Sequence, residues 1–366
     1  MKKLMRKPVR FKGLSVGLDV HQEFIEYCVL DRNGDQVDAG RIASSQDTLR
    51  AFIARLKKRE KLQVSLEACR CFIWIFDLLI SELDRDVVHV AQPSRLHVIS
   101  NSMEKNDAND AWWLAYLMFE GRLPESFVAE GTLRDLRIAS RELRSYTDLR
   151  GDLLRRFRSH MAQAGVKVRK NWHTSKIGRK KMSKILTSIK GERRRALQML
   201  KKQIKTLSTQ LKLWQARVKE LSKSFPEVQT MIDNLPGFGT ITAGVTMAEL
   251  GSPQRFRNQR AYAKATGLTP GYRQSGGKNN ATAITRQGSR HVRWAFTRSI
   301  ICCLRCKGGL GAQIKAWVEN QSKNKRKKKV VVAAARKMAE GVWRLFSLGE
   351  AFDLAKAFPV KLAATG

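Results

Sequence analysis

Two aspartates stand three residues apart at the head of an apolar run in an otherwise basic chain. They are Asp107 and Asp110, in the stretch KNDANDAWW. Residues at i and i+3 share one face of a helix, so both carboxylates can reach the same ligand. Two further acids, Asp19 in LSVGLDV and Glu67 in LQVSLE, stand at the ends of strand-like segments. If these strands are neighbours, the two acids emerge at one sheet edge, and the aspartate-bearing helix can lie across it.

Four carboxylates that converge on one place repel one another unless a cation holds them. Mg²⁺, or Mn²⁺ in its place, suits a ligand set made of oxygens and also takes phosphate oxygens. Two such ions about 4 Å apart can activate a nucleophile and stabilise a leaving oxygen. Each acid alone also has a structural interpretation, as a strand-end residue or a helix cap. Their joint placement at matching element ends favours a shared metal site that acts on a phosphodiester.

The charge of the chain indicates the class of partner. Among 366 residues there are 70 Lys and Arg against 32 Asp and Glu, a formal net charge of +38. A polyanion that releases counterions on binding is the natural partner for such a chain. The most apolar stretch, CFIWIFDLLI, is too short to span a bilayer, so we expect no membrane. The start, MKKLMRKPVRFKG, lacks the apolar core of a signal peptide, and six scattered cysteines fit a reduced cytoplasm.

Five strand-like and three helical segments make up the first part of the chain. In order they are LSVGLDV, FIEYCVL, QVDAGRI, a helix capped by Ser45 or Asp47, LQVSLE, the helix Phe72–Leu83, DVVHVA and the helix Asp107–Glu120. The first three strands follow one another through turn residues, which predicts an antiparallel meander. The later strands are joined through helices, which predicts crossovers and therefore a mixed sheet.

A long, basic, helical segment follows, and its second half carries a heptad seam. The apolar residues recur at alternating spacings of three and four: Leu197, Leu200, Ile204, Leu207, Leu211, Trp214, Val218, Leu221 and Phe225. This seam predicts a coiled coil, within the chain or between subunits, in preference to a single long helix. The basic stretch 155–190 before it favours nucleic-acid contact over a merely solvated face.

Two other motifs in the last part have both a functional and a structural interpretation. In LPGFG, the glycines Gly237 and Gly239 let backbone N–H groups approach a phosphate, although such turns also simply connect helices. The cysteines of CCLRC, together with His291, suggest a zinc site. They lie in an apolar helical run with no second cysteine pair nearby, which favours buried thiols.

The strand order and the acids Asp19, Glu67, Asp107 and Asp110 resemble the RuvC-like, ribonuclease H-type nuclease fold. Joined to the later motifs, they resemble the DEDD-type insertion-sequence transposases, the class that includes the Piv invertase and the bridge-RNA-guided recombinases. The resemblance covers nearly the whole chain, with GLDVHQ, LEA, KNDANDA, LPGFG, GLTP and QSGGK in the family's order. The chain departs after Glu67, where Cys69 and Arg70 replace a small polar residue and glycine, and its middle basic segment is long.

The resemblance implies a nucleophilic serine in the second half, and the matching position is Ser275. A serine hydroxyl is a weak nucleophile that needs a base or a metal. The neighbouring Gly276 and Gly277 would let the backbone approach the scissile phosphate, while Arg273 and Lys278 would offset its charge. Attack would form a phosphoserine link that conserves phosphodiester energy, so strands could be rejoined without ATP.

The resemblance also implies partners and a location. The partners are donor and target DNA, a guide RNA from the same element, and further copies of this chain in a dimer or tetramer. The metal domain of one subunit and the serine domain of another would complete one site, and the heptad seam offers a means of assembly. The protein would act in the bacterial cytoplasm, at the nucleoid.

We therefore predict an α/β plus α architecture in three parts. Residues 1–128 form a RuvC-like metal-binding domain, residues 129–226 a helical coiled-coil segment, and residues 227–366 a mostly helical domain that carries the serine. A metal nuclease that uses water, such as a junction resolvase, is the alternative in which Ser275 is only structural. A non-enzymatic nucleic-acid binder is the third hypothesis, and it gives no reason for four acids at matched element ends.

Overall fold

A computed structural model describes residues 11–93, 95–96, 107–169, 171–275, 278–285, 287–306 and 308–359, without the side chains of 107, 272–275 and 278–283. The chain forms two compact units, Met1–Val128 and Ala129–Gly366. The division falls at the first of the two predicted boundaries. The residues predicted as a coiled-coil segment and as a serine domain belong to one unit.

The first unit is built on a five-stranded mixed sheet. Its strands are β1 (Leu14–Val20), β2 (Phe24–Leu30), β3 (Gln36–Ala43), β4 (Leu62–Glu67) and β5 (Val88–Ala91), in the order β3-β2-β1-β4-β5. The pairs β1–β2 and β2–β3 are antiparallel, whereas β1–β4 and β4–β5 are parallel. The predicted meander and crossovers are therefore confirmed.

Helices cover both faces of this sheet. They are α1 (Gln46–Lys57), α2 (Phe72–Glu82) and α3 (Asp107–Phe119), and the 3-10 turn Arg85–Val87 leads into β5. Ser45 caps α1 as predicted, because its side chain accepts the N–H of Thr48. Val16 and Leu18 of β1 lie in a core with α1 and α2. Since strand residues alternate between faces, Gly17 and Asp19 belong to the opposite face, the one that α3 covers.

The second unit begins with two long helices that pack against each other. They are α4 (Gly131–Gln163) and α6 (Gly191–Ser222), with α5 (Lys176–Thr187) between them in sequence. Leu136 near the start of α4 shares a core with Val218 near the end of α6. Phe157 near the end of α4 shares another with Leu200 near the start of α6. The two helices therefore run antiparallel.

The predicted heptad seam is buried inside this helix pair. Six of its nine residues are buried, namely Leu197, Leu200, Ile204, Leu211, Val218 and Leu221. The coiled-coil interpretation thus holds within the chain. The seam does not provide the free surface that we expected for assembly, because α4 of the same chain already covers it.

The remainder of the second unit is mostly helical, as predicted. Its elements are α7 (Pro226–Asn234), α8 (Thr240–Leu250), a 3-10 turn (Pro253–Arg255), α9 (Gln259–Ala265), the hairpin β6 (Pro270–Ser275) and β7 (Lys278–Ile284), α10 (Arg290–Cys303), α11 (Leu310–Gln321), α12 (Lys327–Leu348) and α13 (Leu354–Ala357). Phe296, Ile314 and Met338 lie in its apolar core. Within the described ranges, no helix is both long and apolar enough to cross a membrane.

Candidate functional site

Asp19 and Glu67 lie beside each other on neighbouring parallel strands. Leu18 of β1 pairs with Leu66 of β4, so the next residue on each strand is one of the two acids. Neighbouring strands are about 4.8 Å apart. The same register places the two acids on one face of the sheet. Ser15 and Gln63, each four residues earlier on its strand, are paired, and their side chains are joined by a 2.7 Å hydrogen bond. Both acids therefore belong to the face that α3 covers, as the sequence predicted for one sheet edge.

The start of α3 is placed close to this pair by a backbone contact at Gly17. A Cβ atom at Gly17 would collide with the carbonyl oxygen of Ala111 and lie 2.6 Å from the backbone nitrogen of Ala115. Only glycine lets a helix approach a strand this closely. Asp110 directly precedes Ala111, and Gly17 is two residues from Asp19. The glycine of the GLDVHQ motif thus brings the first turn of α3 against the strand that carries Asp19.

We expect Gly17→Ala to destabilise the first unit by about 1–3 kcal/mol or more, because the atoms in the way are backbone and α3 itself must move. Hydrogen exchange at the amides of α3 measures the effect directly. Gly40→Ala in β3 is the matched control, since a Cβ there would meet only the end of the Tyr27 side chain, at 3.2 Å from its hydroxyl, and no backbone atom that close. Equal protection of α3 in both variants and the parent protein would contradict this account of Gly17.

Two residues beside Asp19 belong to the site although the sequence did not single them out. His21 Nε2 lies 3.0 Å from Asp19 Oδ2, and the imidazole stacks on Phe24 with ring centroids 4.5 Å apart. Glu26 is directly opposite Asp19 in the β1–β2 register, and Arg41 Nε donates to Glu26 at 2.8 Å. Arg41 offsets the charge of this additional carboxylate. The short β1–β2 connection was the signal that could have predicted the Asp19–Glu26 pairing.

The backbone directly after Glu67 turns tightly, at the point where the chain departs from the family pattern. The N–H of Cys69 donates to the carbonyl of Glu67 at 2.8 Å, and the N–H of Ala68 continues the pairing with Ala91. Burial raises the pKa of the Cys69 thiol. Cys69 thus packs as a neutral side chain, and Glu67 keeps its place as the last residue of β4.

The predicted metal ligands are carboxylates on β1, β4 and α3, which are suitable ligands for a divalent cation. Asp19 is largely buried, with 14% of its side chain exposed, and Glu67 and Asp110 are partly buried. Carboxylate oxygens are the ligands that Mg²⁺ takes. Asp107 begins α3 one turn before Ala111, but its side chain lies outside the description. Among the described residues, no three His, Cys, Asp or Glu side chains are already gathered in a metal-binding geometry.

The candidate serine lies at the tip of the hairpin in the second unit. Ser275 ends β6 and pairs with Lys278, the first residue of β7, while Arg273 pairs with Asn280. The side chains of these residues, and all of Gly276 and Gly277, lie outside the description. The backbone register therefore places Ser275 at the end of β6 opposite the first residue of β7, and the role predicted for it remains a prediction.

The two glycines of LPGFG differ in their surroundings. Gly237 has φ of +77°, and a Cβ there would collide with the Ser299 carbonyl and lie 2.6 Å from Cys303 Sγ. This position allows α10 to pack closely. Gly239 precedes α8, is exposed, and has no described atom within 4 Å of a Cβ position. Of the two, Gly239 has open space beside its Cα, while its own N–H already donates to Thr242 Oγ1 at 3.0 Å.

A buried acid, which we did not anticipate, ties the helix after the hairpin to α4 and α8. Glu249 accepts two hydrogen bonds from Arg141, at 2.8 and 3.1 Å, and one from Ser289 at 3.0 Å. Ser289 in turn caps α10 by accepting the N–H of His291. Arg137 donates to the carbonyls of Ala248 and Glu249, at the end of α8. A single acid in the apolar run TITAGVTMAEL was the sequence signal for this network.

The Glu249 network predicts a pH-dependent stability. Burial by itself would raise the pKa of Glu249, but the hydrogen bonds and charges of Arg141 and the charge of Arg137 hold it below its ordinary 4.5. A lowered folded-state pKa contributes stability above pH 4.5, and this stability is lost as the pH falls below that value. We expect Glu249→Gln to cost about 2 kcal/mol at pH 7 and less at pH 4, measured by urea unfolding. The exposed Glu319→Gln is the control, and an equal cost in both variants would contradict this role.

The cysteines of CCLRC behave as thiols of a helix end. Cys303 is buried, and burial raises its pKa to about 12. Cys306 is exposed, and its Sγ contacts the carbonyl of Cys302. In the described part of the chain these side chains form no metal-binding group with His291. The structural interpretation therefore accounts for them.

Comparison with known proteins matches both halves of the chain to transposases. Residues 16–165 match the DEDD transposase family of the IS110 type, and residues 229–315 match the family described as Transposase IS116/IS110/IS902 family. The first match includes Asp19, Glu67, Asp107 and Asp110, and the second includes Ser275.

Individual relatives give the same result. The chain is 32% identical to a putative transposase, y4pF/y4sB, of Sinorhizobium fredii, over 42% of this chain and 38% of that protein. It is 26% identical to the transposase for insertion sequence element IS1328 of Yersinia enterocolitica, over 32% of this chain and 36% of that protein. The matches to these two relatives thus span well under half of their length. The transposase for insertion sequence element IS1111A of Coxiella burnetii is 21% identical over 92% of this chain and 90% of its own. The chain therefore carries, in the predicted order, the DEDD domain and the IS116/IS110/IS902 domain of the insertion-sequence transposases.

Proposed function

We propose that this protein is a DNA transposase of an insertion sequence that cuts and rejoins strands through a phosphoserine intermediate. The observation that carries the proposal is the β1–β4 register, which sets Asp19 beside Glu67 while Gly17 seats the start of α3 against the same strand. The names of the relatives support the activity class. The first unit would have the RuvC-like fold, and the protein would act at the nucleoid.

Four acids would hold Mg²⁺ in this proposal: Asp19, Glu67, Asp107 and Asp110. The bound metal would offset the charge of the scissile phosphate and make an oxygen nucleophile more reactive. His21 holds Asp19 through the 3.0 Å contact, and Arg41 balances the charge of Glu26. These contacts would keep Asp19 oriented when the neighbouring carboxylates are all ionised.

Ser275 would supply the nucleophile. Its Oγ forms a bond to phosphorus, the bond from phosphorus to the departing sugar oxygen breaks, and the serine proton ends on that oxygen. A sugar hydroxyl of a second strand then attacks the phosphoserine, which restores a phosphodiester and the free serine. Arg273 and Lys278, close to Ser275 in the hairpin strands, would offset phosphate charge, and the open space beside Gly239 would let a phosphate approach. Because the number of phosphoester bonds is unchanged, no ATP is needed.

The partners in this proposal are donor and target DNA, a non-coding guide RNA and further copies of the chain. A formal charge of +38 is enough to bind more than one polyanion. Sequencing the RNA that copurifies with the protein from its host tests the guide. A single abundant structured RNA from the same element is the expected result, and a random sample of cellular RNA would argue against guidance.

The test of the chemistry is to trap the covalent intermediate. The protein is incubated with Mg²⁺ and DNA that spans the element boundary, denatured, digested with nuclease and trypsin, and examined by mass spectrometry. We expect a nucleotide on the peptide that contains Ser275. A nuclease that uses water and the same acids would instead give free phosphate ends and unmodified peptide.

A further inference from the structure

A strongly basic cavity lies in the second unit, among α4, α5, α6 and the loop before α5. Its volume is about 850 Å³. Among the described residues, seven Lys and Arg and no Asp or Glu line it. The lining also includes Trp172 and His173 from the loop. The cavity is thus within the size range of ligand pockets, but its charge is of one sign only.

The floor of the cavity is a polar stripe along α6. The stripe runs through Arg194, Gln198, Lys201, Lys205, Ser208 and Lys212, which all line the cavity. Their spacing alternates four and three, so the stripe runs parallel to the apolar seam on the same helix. At 1.5 Å per residue it is about 27 Å long. In the described part of the chain, neither Lys205 nor Lys212 has an ion pair with an acid. Four of the six residues, namely Arg194, Lys201, Lys205 and Lys212, are cations, and cations along one line suit a chain of phosphates.

Two side chains that line one wall of the cavity carry buried hydrogen-bonding atoms that have no partner in the described structure. Trp172 is 5% exposed and stacks on Phe157, with ring centroids 4.5 Å apart. Its indole Nε1 and the Nδ1 of His173 are buried and lack a hydrogen-bond partner. Burial, and then the charges of Arg150, Arg158 and Arg179, lower the pKa of His173, so the ring is neutral at pH 7. A neutral imidazole donates at one nitrogen and accepts at the other, as the edge of a nucleobase does.

No acid from the described part of the chain lines the cavity to balance its charge. Between Asp152 and Glu192 the sequence has twelve Lys and Arg and no Asp or Glu. Residues 166–228, which supply most of the lining, lie outside both family matches. The two transposase domains therefore do not account for this feature. So many cations around one cavity destabilise the fold through self-repulsion unless an anion binds there.

We propose that this cavity binds a single strand of nucleic acid, with phosphates along the Arg194–Lys212 stripe and a base at the Trp172–His173 wall. A cavity of about 850 Å³ can hold a few nucleotides of one strand but is too small to enclose a duplex. Charged grooves with aromatic side chains are the usual means of binding single strands without sequence preference. The strand can be RNA or DNA, because both present the same phosphates. The inference does not depend on the strand-transfer chemistry proposed above.

The test compares two double variants of α6, each of which removes two positive charges. Lys205→Ala with Lys212→Ala removes two exposed cations from the stripe. Arg195→Ala with Arg217→Ala removes two exposed cations from outside the cavity, each paired with a glutamate. Binding of fluorescent 20-mers of oligo(U) and oligo(dT) to the full chain is measured by anisotropy across a salt series. Each lost phosphate contact lowers the salt slope for a single strand by about 0.7, so we expect a fall of about 1.4 for the first pair only.

A second pair adds charge in place of removing it. Thr209→Glu puts an acid into the cavity, and Gln203→Glu puts one on the opposite side of the same helix; both positions are exposed. We expect only Thr209→Glu to weaken binding of single strands. Three results would each overturn the proposal. They are equal weakening of single-strand binding by the cavity variant and its control in either comparison, no weakening by any variant, and duplex DNA that competes as well as single strands. Preference for oligo(U) over oligo(dT) identifies RNA as the source, and the reverse identifies DNA. Ser275→Ala should bind like the parent protein, which separates this inference from the proposed chemistry.

Discussion

Ser275→Ala is expected to abolish the covalent protein–DNA link and to lower strand exchange by about 10⁴-fold or more. Removal of a covalent nucleophile eliminates the reaction path that passes through it, so the loss is as large as that of a whole catalytic group. The change removes one side-chain oxygen at the end of β6, and the backbone pairing of Ser275 with Lys278 does not depend on that atom. Stability should therefore be unchanged. The measurement is denaturing electrophoresis of labelled DNA, with and without protease.

Ser224→Ala is the matched control, because Ser224 is exposed just after α6 and lies outside the LPGFG and QSGGK motifs. It should form the adduct at the parent rate. If Ser275→Ala cleaves DNA normally without an adduct, the water-using nuclease is the better description of this protein. If it still forms the adduct, another residue is the nucleophile and the family-based position is wrong.

Asp19→Asn is expected to lower DNA cleavage by on the order of 10²–10³-fold while DNA binding and stability remain. Removal of one group that stabilises charge in the transition state has an effect of this size. Asparagine keeps the shape of the side chain and an oxygen beside His21 Nε2, which lies 3.0 Å from Asp19 in the parent protein. It removes the negative charge that a divalent cation needs. Cleavage is followed on labelled DNA, and Mn²⁺ binding is measured independently by electron paramagnetic resonance.

Asp35→Asn is the matched control, since Asp35 is exposed in the β2–β3 turn of the same unit. Both variants remove one negative charge from a strongly basic protein, so a general effect of charge would appear in both. Normal cleavage and normal Mn²⁺ binding by Asp19→Asn would contradict the metal site. Weaker DNA binding without loss of Mn²⁺ would place Asp19 in a substrate contact instead.

Local sequence patterns were enough to predict the elements, because the interactions behind them span only a few residues. The five strands, the Ser45 cap of α1 and the helical character of Asp107–Phe119 all follow from alternation, capping and apolar periodicity. The heptad seam likewise predicted that α6 buries one stripe of its surface. The kinds of connection between strands were enough to predict which pairs are parallel.

Contacts between distant parts of the chain decided the rest. The seam of α6 does not specify its partner, and only the fold shows that α4 of the same chain covers it. The position of Glu249 among Arg141, Arg137 and Ser289 depends on three segments more than 30 residues apart meeting in one place. No local pattern encodes such a meeting. The basic cavity in the second unit also arises only when the loop with Trp172 packs near α6.

The sequence by itself determined which side chains can do chemistry and on which kind of element each lies. It did so because a carboxylate at a strand end, or two at i and i+3 of a helix, are properties of a short segment. Only the tertiary structure decided that Asp19 has Glu67 on one side and Glu26 on the other, since register is set by pairing between separate strands. The close packing of α3 on β1 also depends on the tertiary structure. Glycine is required at position 17 only because backbone atoms of α3 occupy the place where a Cβ atom would lie.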